Sequence, residues 1–239
     1  YAEAGLMVNR TLYLGLTNGL VGHWSFDGPA MGGAGTTATD ISGQGNHGTL
    51  TNGPVRTTGR IGQGMQFDGV DDYVDAGSAT SLDMISSLDL TRSKPITISA
   101  WINPTSMGEG SRGRIVDKSS SFTSNGWKFM LNGGDVANGL DLLINGAIGV
   151  RRISAANAVA LNAWSHVLAT WDGSIDSTKV HIYVNGIEVA YSTTNAAVSP
   201  LDSDEEQSLF IGGDVAGLDN FNGVIDDVRI YTRVFTNDE

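Results

Sequence analysis

The sequence predicts an all-β protein built as a two-layer antiparallel sandwich. Short apolar runs alternate with polar residues in the two-residue rhythm of strands, turn residues separate the runs, and no stretch has sustained helical periodicity. The 32 glycines follow no fixed period, which argues against a collagen-like or low-complexity chain. A chain of 239 residues can bury one such core without disulfides.

The predicted strands follow the apolar runs along the chain. A turn at 68–71 separates the second strand from the third, and strand 96–102 places Ile96, Ile98 and Ile102 on one face. Asn185-Gly186 between alternating apolar residues is the strongest hairpin signal in the chain. The predicted strands are 20–26, 64–67, 73–75, 96–102, 127–131, 140–144, 164–171, 180–184, 187–191, 209–212 and 223–231.

The amino-acid composition limits the classes of partner that the chain is expected to bind. The formal net charge is −12, and such an acidic chain repels phosphate backbones, so we expect no nucleic acid partner. Twenty-six acidic residues against fourteen basic ones leave carboxylates that could hold a hard cation such as calcium. The absence of cysteine excludes disulfides and thiolate-bound zinc, and no segment of the sequence is long and apolar enough to span a membrane.

Residues 1–18 differ from the rest and are predicted to be a separate N-terminal segment. Leu12, Leu14 and Leu16 alternate with their neighbours as in a strand. Three interpretations stay open for this segment: a linker, an edge strand of its own sheet, or an assembly arm in which residues 6–16 pair with a neighbouring copy. The start at Tyr1 is compatible with removal of a signal or anchoring segment.

Seven segments, in order, resemble the laminin-G-like jelly-roll family of concanavalin A-like domains. The resemblance covers about residues 19 to 235 and implies a jelly-roll sandwich over 19–239. It also implies an exported protein of the extracellular space or cell surface, with a sugar-binding, adhesion or structural role and often a structural calcium ion. The segments are GLVGHWSFD at 19–27, DISGQGNHG at 40–48, GQGMQFDGVDDYV at 62–74, ISAWI at 98–102, WSHV at 164–167, IYVNG at 182–186 and GVIDDVRIY at 223–231.

A calcium site is the first chemical hypothesis. The two-residue period places Asp226 on one face with Val224, Val228 and Ile230, and a carboxylate on an apolar face needs a partner. Calcium binds six to eight oxygens, and Asp27, Asp40 and Asn46 could complete its shell. Alternatively, Asp226 caps backbone amides or pairs with an arginine.

A second acidic cluster consists of Asp68, Asp71 and Asp72. The cluster could bind another ion, but we favour the interpretation that Asp68-Gly69 and Asp71 are turn residues whose side chains bond local amides.

An aromatic platform for sugar is the second hypothesis. Trp101 and Trp127 are its candidates, with Arg114, Asp117 and Lys118 as neighbouring polar groups. Alternation places Trp101 opposite Ile98, Ala100 and Ile102, so its ring should point away from the core. The alternative is that large aromatic side chains of a two-layer sandwich belong to the core.

Catalysis is not predicted. The strand motif Glu-x-Asp-x-x-Glu of jelly-roll glucanases is absent, as are Gly-x-Ser-x-Gly and His-x-x-x-His. Asp226 and Asp227 are adjacent, so on a regular strand they point to opposite faces.

From these observations together we expect a calcium-containing module that binds glycans or glycoconjugates, or mediates adhesion. The alternatives are a subunit of a surface filament, pilus or layer and, less favoured, a glycoside hydrolase.

Overall fold

Two antiparallel sheets pack face to face in the computed structural model, which confirms the predicted sandwich. The structure describes residues 16–28, 35–86, 93–120, 125–144, 149–197, 201–214, 217–236 and 239. The predicted N-terminal segment and its proposed arm therefore lie outside the described residues except at their C-terminal ends, from residue 16 onward.

The strands of this part of the chain are short, and 3₁₀ turns lie at Thr80–Leu82, Glu109–Ser111 and Ser177–Lys179. The strands are β1 (Leu20–Trp24), β2 (Thr37–Ala38), β3 (Gly48–Thr51), β4 (Val55–Thr58), β5 (Gln63–Asp68), β6 (Tyr73–Asp75), β7 (Ile96–Pro104), β8 (Arg114–Ser119), β9 (Gly126–Asn132), β10 (Gly139–Ile144), β11 (Val150–Ser154), β12 (Ser165–Trp171), β13 (His181–Val184), β14 (Ile187–Glu188), β15 (Tyr191–Asn195), β16 (Phe210–Ile211) and β17 (Asn222–Tyr231). No helix in the described ranges has the length and apolar character needed to cross a membrane.

The eight-stranded sheet has the order β14-β13-β12-β7-β17-β5-β4. Its eighth strand, β1, pairs with the second half of β17, while β5 pairs with the first half. The nine-stranded sheet has the order β15-β11-β10-β9-β8-β16-β6-β3-β2. Long-range pairing of this kind places the first and last strands side by side.

The core lies between the two sheets and contains the alternating apolar residues of both. Its largest fully buried aromatic side chains are Trp24, Phe26, Phe67, Trp127, Phe129, Trp171 and Phe221. Burying side chains of this size contributes roughly 1.5–3 kcal/mol each, which explains how a chain without disulfides holds two sheets together.

The hairpin prediction is confirmed, but the strand predicted after it is not continuous. Asn185 and Gly186 have φ of 51° and 79°, as a type I′ turn requires, and Val184 pairs with Ile187. The chain then leaves the eight-stranded sheet, and Tyr191 begins β15 in the other sheet. The predicted strand 187–191 is thus wrong, because the chain changes sheets within it.

A β-bulge in β17 overturns the predicted face of Asp226. Asp226 pairs with Trp101, and Arg229 pairs with Ser99. Between these two pairs, β17 contains one more residue than β7. Asp227 has a φ of 49° at this point. Ile225 faces the core before the bulge, and Val228 and Ile230 face it afterwards. Because the extra residue shifts the alternation, Asp226 lies on the outer side of the sheet.

Candidate functional site

The outer surface of the eight-stranded sheet, here called the open face, carries a row of side chains across three neighbouring strands. Asp226 of β17 pairs with Trp101 of β7, and Trp101 pairs with His166 of β12. The Trp101 and His166 rings are 5.2 Å apart between centroids, and both side chains are half-buried. The predicted outward orientation of Trp101 agrees with this placement.

The turn between β4 and β5 folds back onto this row. The backbone amides of Arg60 and Ile61 each donate to Asp226 Oδ2 at 2.8 Å. A Cβ at Gly59 would collide with this carboxylate, so the close approach of the turn requires glycine there. The turn places the guanidinium of Arg60 over the ring of Trp101, 4.9 Å from its centroid. Arg60 itself is exposed.

A second row contains an ion-paired cluster. His23 Nε2 lies 2.7 Å from Asp227 Oδ1, and a terminal nitrogen of Arg229 lies 3.0 Å from Asp227 Oδ2. Burial opposes ionisation of Asp227, but the hydrogen bond to His23 and the charge of Arg229 lower its pKa below the usual value. Burial lowers the pKa of His166, and the Asp227 charge opposes that shift.

A groove adjoins His166 where the C-terminal segment crosses the open face. It has a volume of about 560 Å³, including space open to solvent. The segment is anchored because Thr97 Oγ1 donates to the Arg233 carbonyl at 2.6 Å and accepts from the Phe235 amide at 3.1 Å. The groove is lined by His166, Leu168, Thr170, Tyr183, Gly186, Phe235, Thr236 and Glu239. Aromatic, aliphatic and polar groups thus surround one concavity, as is typical of sites for organic ligands.

The predicted calcium ligands do not assemble into one shell. Asp40 Oδ1 accepts from the amides of His23 and Ser42, and Oδ2 accepts from the Ser42 hydroxyl and the Asn46 amide. The Asn46 side chain bonds the Val21 carbonyl and Ser81 Oγ. Hydrogen bonds from these groups hold the 39–47 loop against β1, so their oxygens already have protein partners.

Asp27 and Asp226 both contact the turn between β4 and β5 but bind different amides. Asp27 Oδ1 accepts from the Gln63 amide at 2.9 Å, whereas Asp226 accepts from the amides of Arg60 and Ile61. Asp226 Oδ1 is buried without a hydrogen-bond partner. Burial, with a smaller contribution from the charge of Asp227, raises the pKa of Asp226 to about 6. The alternative prediction, that Asp226 caps backbone amides, describes this geometry.

The second acidic cluster does converge. Asp68, Asp71 and Asp72 form the only group of three or more acidic, histidine or cysteine ligand atoms within 4.8 Å of one another in the described part of the chain. Asp68 Oδ1 accepts from the Val70 amide, as predicted for a turn residue, and Asp72 Oδ2 accepts from the Asp68 amide. Burial and the two neighbouring charges raise the pKa of Asp72. This oxygen-only set fits a hard cation such as calcium.

Two of the predicted sugar-contacting residues point into the molecule. Lys118 and Trp127 pair across β8 and β9, and both are fully buried. Trp127 Nε1 donates to Asp204 Oδ2, and Lys118 Nζ donates to the Asp204 carbonyl and lies 3.0 Å from Asp83 Oδ1. They hold the 201–209 segment against the sandwich, so they offer no surface to a sugar.

Arg114 and Asp117 lie on the outer surface of the nine-stranded sheet, here called the closed face because its central charged residues are buried. Arg114 Nε is 2.9 Å from Asp117 Oδ2, and its terminal nitrogen is 2.6 Å from Asp219 Oδ2. Further along this face, Arg151 pairs with the buried Asp141 at 2.5 Å. Burial lowers the pKa of Lys128 to about 8. The structure therefore separates Trp101 from every other residue of the predicted platform.

Sequence comparison identifies the family. The model of the concanavalin A-like lectin/glucanases superfamily matches residues 68–239. The chain belongs to this superfamily. Comparison with curated proteins gives no match. The match begins at the Asp68 turn, so it includes β7, β12 and β17, which carry the central row of the open face.

Solved structures share the fold at low identity. The binding domain of Paraclostridial Mosquitocidal Protein 1 superposes with a TM-score of 0.67 and 17% identity, over 93% of this chain and 51% of that one. Domain 4 of AbnA, an extracellular arabinanase from Geobacillus stearothermophilus solved with arabinotriose, gives 0.63 and 17%, over 92% and 95%. Trypanosoma rangeli sialidase gives 0.56 and 15%, over 92% and 31%. The chain thus spans about half of the first relative and nearly all of the second.

Proposed function

We propose that this chain is an exported, non-catalytic glycan-binding module whose binding surface is the open face. The observation that carries the proposal is the half-buried pair Trp101 and His166 beside a groove that contains Tyr183 and Phe235. Flat aromatic rings offer apolar surface to sugar rings, and the neighbouring polar groups can bond hydroxyls. The strands β17, β7, β12 and β13 are adjacent, so this surface extends roughly 14 Å at about 4.8 Å per strand.

The family and the fold relatives support this proposal. The superfamily description includes lectins, and domain 4 of AbnA was solved in complex with arabinotriose. That domain is nearly covered by this chain, which matches the size of a single binding module. Export is consistent with the extracellular arabinanase to which that domain belongs. The toxin relative is likewise described as a binding domain, so the fold occurs in units whose task is recognition.

Hydrolysis is the less favoured activity, although the bulge corrects one argument against it. Asp226 and Asp227 lie on the same outer side of the sheet, with the pKa of Asp226 raised to about 6 and that of Asp227 lowered, as an acid and its partner base require. However, Asp226 is fully buried beneath the β4–β5 turn, and its Oδ2 accepts two amides. A general acid must reach the glycosidic oxygen, which this carboxyl group does not do.

Binding is tested by titration calorimetry with arabinotriose and by a glycan array that covers neutral and acidic oligosaccharides. For any glycan that binds, we expect Trp101→Ala and Tyr183→Ala to weaken the affinity at least tenfold, because each removes an aromatic surface. Ile187→Ala is the matched control, since Ile187 is 74% exposed on the edge strand β14 and outside the groove. Unchanged affinity in both aromatic variants would refute the open face as the binding surface.

A further inference from the structure

We infer that the open face selects glycans that carry a carboxylate, through Arg60. This inference rests on the proposed glycan-binding function and names the class of ligand. Arg60 is exposed, and its guanidinium forms no ion pair or hydrogen bond with any residue that the structure describes. The guanidinium lies over the ring of Trp101, which is part of the proposed surface, 4.9 Å from its centroid.

Stacking prepares the guanidinium for a carboxylate. An arginine that lies on an aromatic ring keeps its planar fork of N–H groups in a restricted orientation, so it loses less side-chain entropy when a ligand binds. The edges of that fork match the two oxygens of a carboxylate in a bidentate pair. The backbone of Arg60 is fixed as well, because its amide and that of Ile61 are bonded to Asp226.

The other charges on the open face are already paired. Asp227 is held by His23 and Arg229, and Glu239 lies 2.6 Å from the terminal nitrogen of Arg233. Asp226 is buried under the turn. The positive charge of Arg60 therefore has no counterion among the charged groups described on this face. In a chain of net charge −12, such an arginine provides local attraction for an acidic sugar without a general affinity for polyanions.

His166 adds a second polar contact. Its ring is 5.2 Å from the Trp101 ring, and burial lowers its pKa, so at neutral pH the imidazole is uncharged and can both donate and accept. A sugar ring seated at the Trp101 edge can thus bond His166 through a hydroxyl while its carboxylate meets Arg60. Trp101 lies between Asp226, which binds the amide of Arg60, and His166 along the row, and the guanidinium of Arg60 lies over its ring.

The test compares ligands that differ only in charge. Titration calorimetry compares trigalacturonate with its fully methyl-esterified form, and sialyllactose with its carboxyl methyl ester, so that the two members of each pair have the same rings and linkages. The first pair presents a uronate within a chain and the second presents a terminal sialic acid, so the two arms distinguish the source of the carboxylate. We expect at least one acidic ligand to bind tenfold more tightly than its neutral counterpart and to weaken when NaCl is raised from 50 to 500 mM.

Arg60→Gln should abolish the preference for the acidic ligand, because glutamine keeps a polar amide but removes the positive charge and the guanidinium fork. The backbone amide that binds Asp226 is retained, so the melting temperature should not change. Arg56→Gln is the matched control, since Arg56 is exposed in the same hairpin and forms no ion pair among the described residues; it should leave the preference intact.

Each outcome separates this inference from the proposed function. Equal binding of acid and ester, with both weakened by Trp101→Ala, overturns the carboxylate inference and leaves glycan binding in place. An acid preference that persists in Arg60→Gln overturns the role of Arg60. Binding only of neutral glycans on the array also overturns the inference, whereas absence of binding to every glycan overturns both proposals.

Discussion

The outer faces of the two sheets carry similar kinds of side chain and differ in their contact with water. On the closed face, Arg114, Lys128 and Asp141 are fully buried. On the open face, Arg60 is exposed and the side chains of Trp101 and His166 are half-buried. Buried charges must be paired or desolvation would be prohibitive, so the closed face is committed to structure. The exposed groups of the open face stay available to a ligand.

The largest expected loss of stability comes from removing a buried charge on the closed face. Asp141→Ala removes the carboxylate that accepts from Arg151 and Asn132 and leaves the partly buried arginine with fewer partners. We expect a loss of about 3 kcal/mol in the free energy of unfolding, measured by urea denaturation. Glu206→Ala, at an exposed position, should change it by less than about 0.5 kcal/mol. Equal effects in the two variants would contradict the distinction between buried and exposed charges.

The next largest change in stability is expected on removal of calcium, which the sequence predicts. If the ion binds at the Asp68 cluster, its site belongs to neither face. Excess chelator should lower the melting temperature, because an ion at a hundredfold excess over its Kd stabilises the folded state by about 2.7 kcal/mol. Asp71→Asn should remove this response, since it removes one of the three converging carboxylates. If Asp226→Asn removes the response instead, the ion binds at the predicted Asp226 site. Elemental analysis of the untreated protein showing no calcium would refute the prediction.

A smaller change in stability, of opposite sign, is expected from a substitution of Asp226, which lies beneath the open face. The pKa of Asp226 is raised to about 6 in the folded protein, so the folded state binds the proton more tightly than the unfolded state does. Its contribution to stability is greatest below pH 4 and decreases as the pH rises through 6. Asp226→Asn should therefore be more stable than the parent by about 2 kcal/mol at pH 7.5, and equal to it near pH 3.5.

Asp227→Asn supplies the control for that prediction, because its pKa is lowered in the folded protein. The hydrogen bond to His23 and the charge of Arg229 overcome the effect of burial. Its contribution is present above the unfolded pKa and is lost as the pH falls through the lower folded value. The variant should therefore be less stable than the parent at neutral pH and approach it in acid. Parallel pH profiles for the two variants would rule out the assigned shifts.

The smallest effect concerns the edge of the eight-stranded sheet. Glu188 accepts from Tyr191, which begins β15 in the other sheet, and lies 2.7 Å from His181. These side chains are substantially exposed, so solvent screens the pair. Glu188→Gln should lower the free energy of unfolding by less than about 0.5 kcal/mol, both at pH 6 and at pH 8. A larger loss, measured by denaturation at both pH values, would show that this edge holds the sheets together.

The sequence was sufficient for the architecture because alternation and turn chemistry are local. Strand 96–102 and the Asn185-Gly186 hairpin follow from a few neighbouring residues, and both agree with the structure. Strand β8 was missed because its sequence, RIVDKS, has no alternation of polar and apolar residues, although all six residues are buried. Such a pattern has the composition of a solvated segment, and only the packing on both sides shows otherwise.

The candidate site was less predictable. Trp101 could be placed on the outer side from alternation alone, but Arg60 reaches it from a turn forty positions earlier in the chain. Nothing in the local sequence of that turn indicates that it folds onto the sheet. The converse holds for Asp40 and Asn46, whose oxygen-rich loop indicated a cation site. The oxygens of Asp40 bond amides of the loop and of β1, and the side-chain oxygen of Asn46 bonds the Ser81 hydroxyl, and these bonds depend on how the loop closes.

The bulge at Asp227 acts on the last strand as a frameshift acts on a reading frame. One additional residue exchanges the inward and outward positions for everything that follows, so Val228 and Ile230 face the core only because Asp227 precedes them. Deleting that single residue would therefore turn the four residues that follow it in β17 to the opposite sides of the sheet. A relative without the bulge must carry its apolar residues one step out of phase from this point, and any alignment of the two strands requires a one-residue gap there.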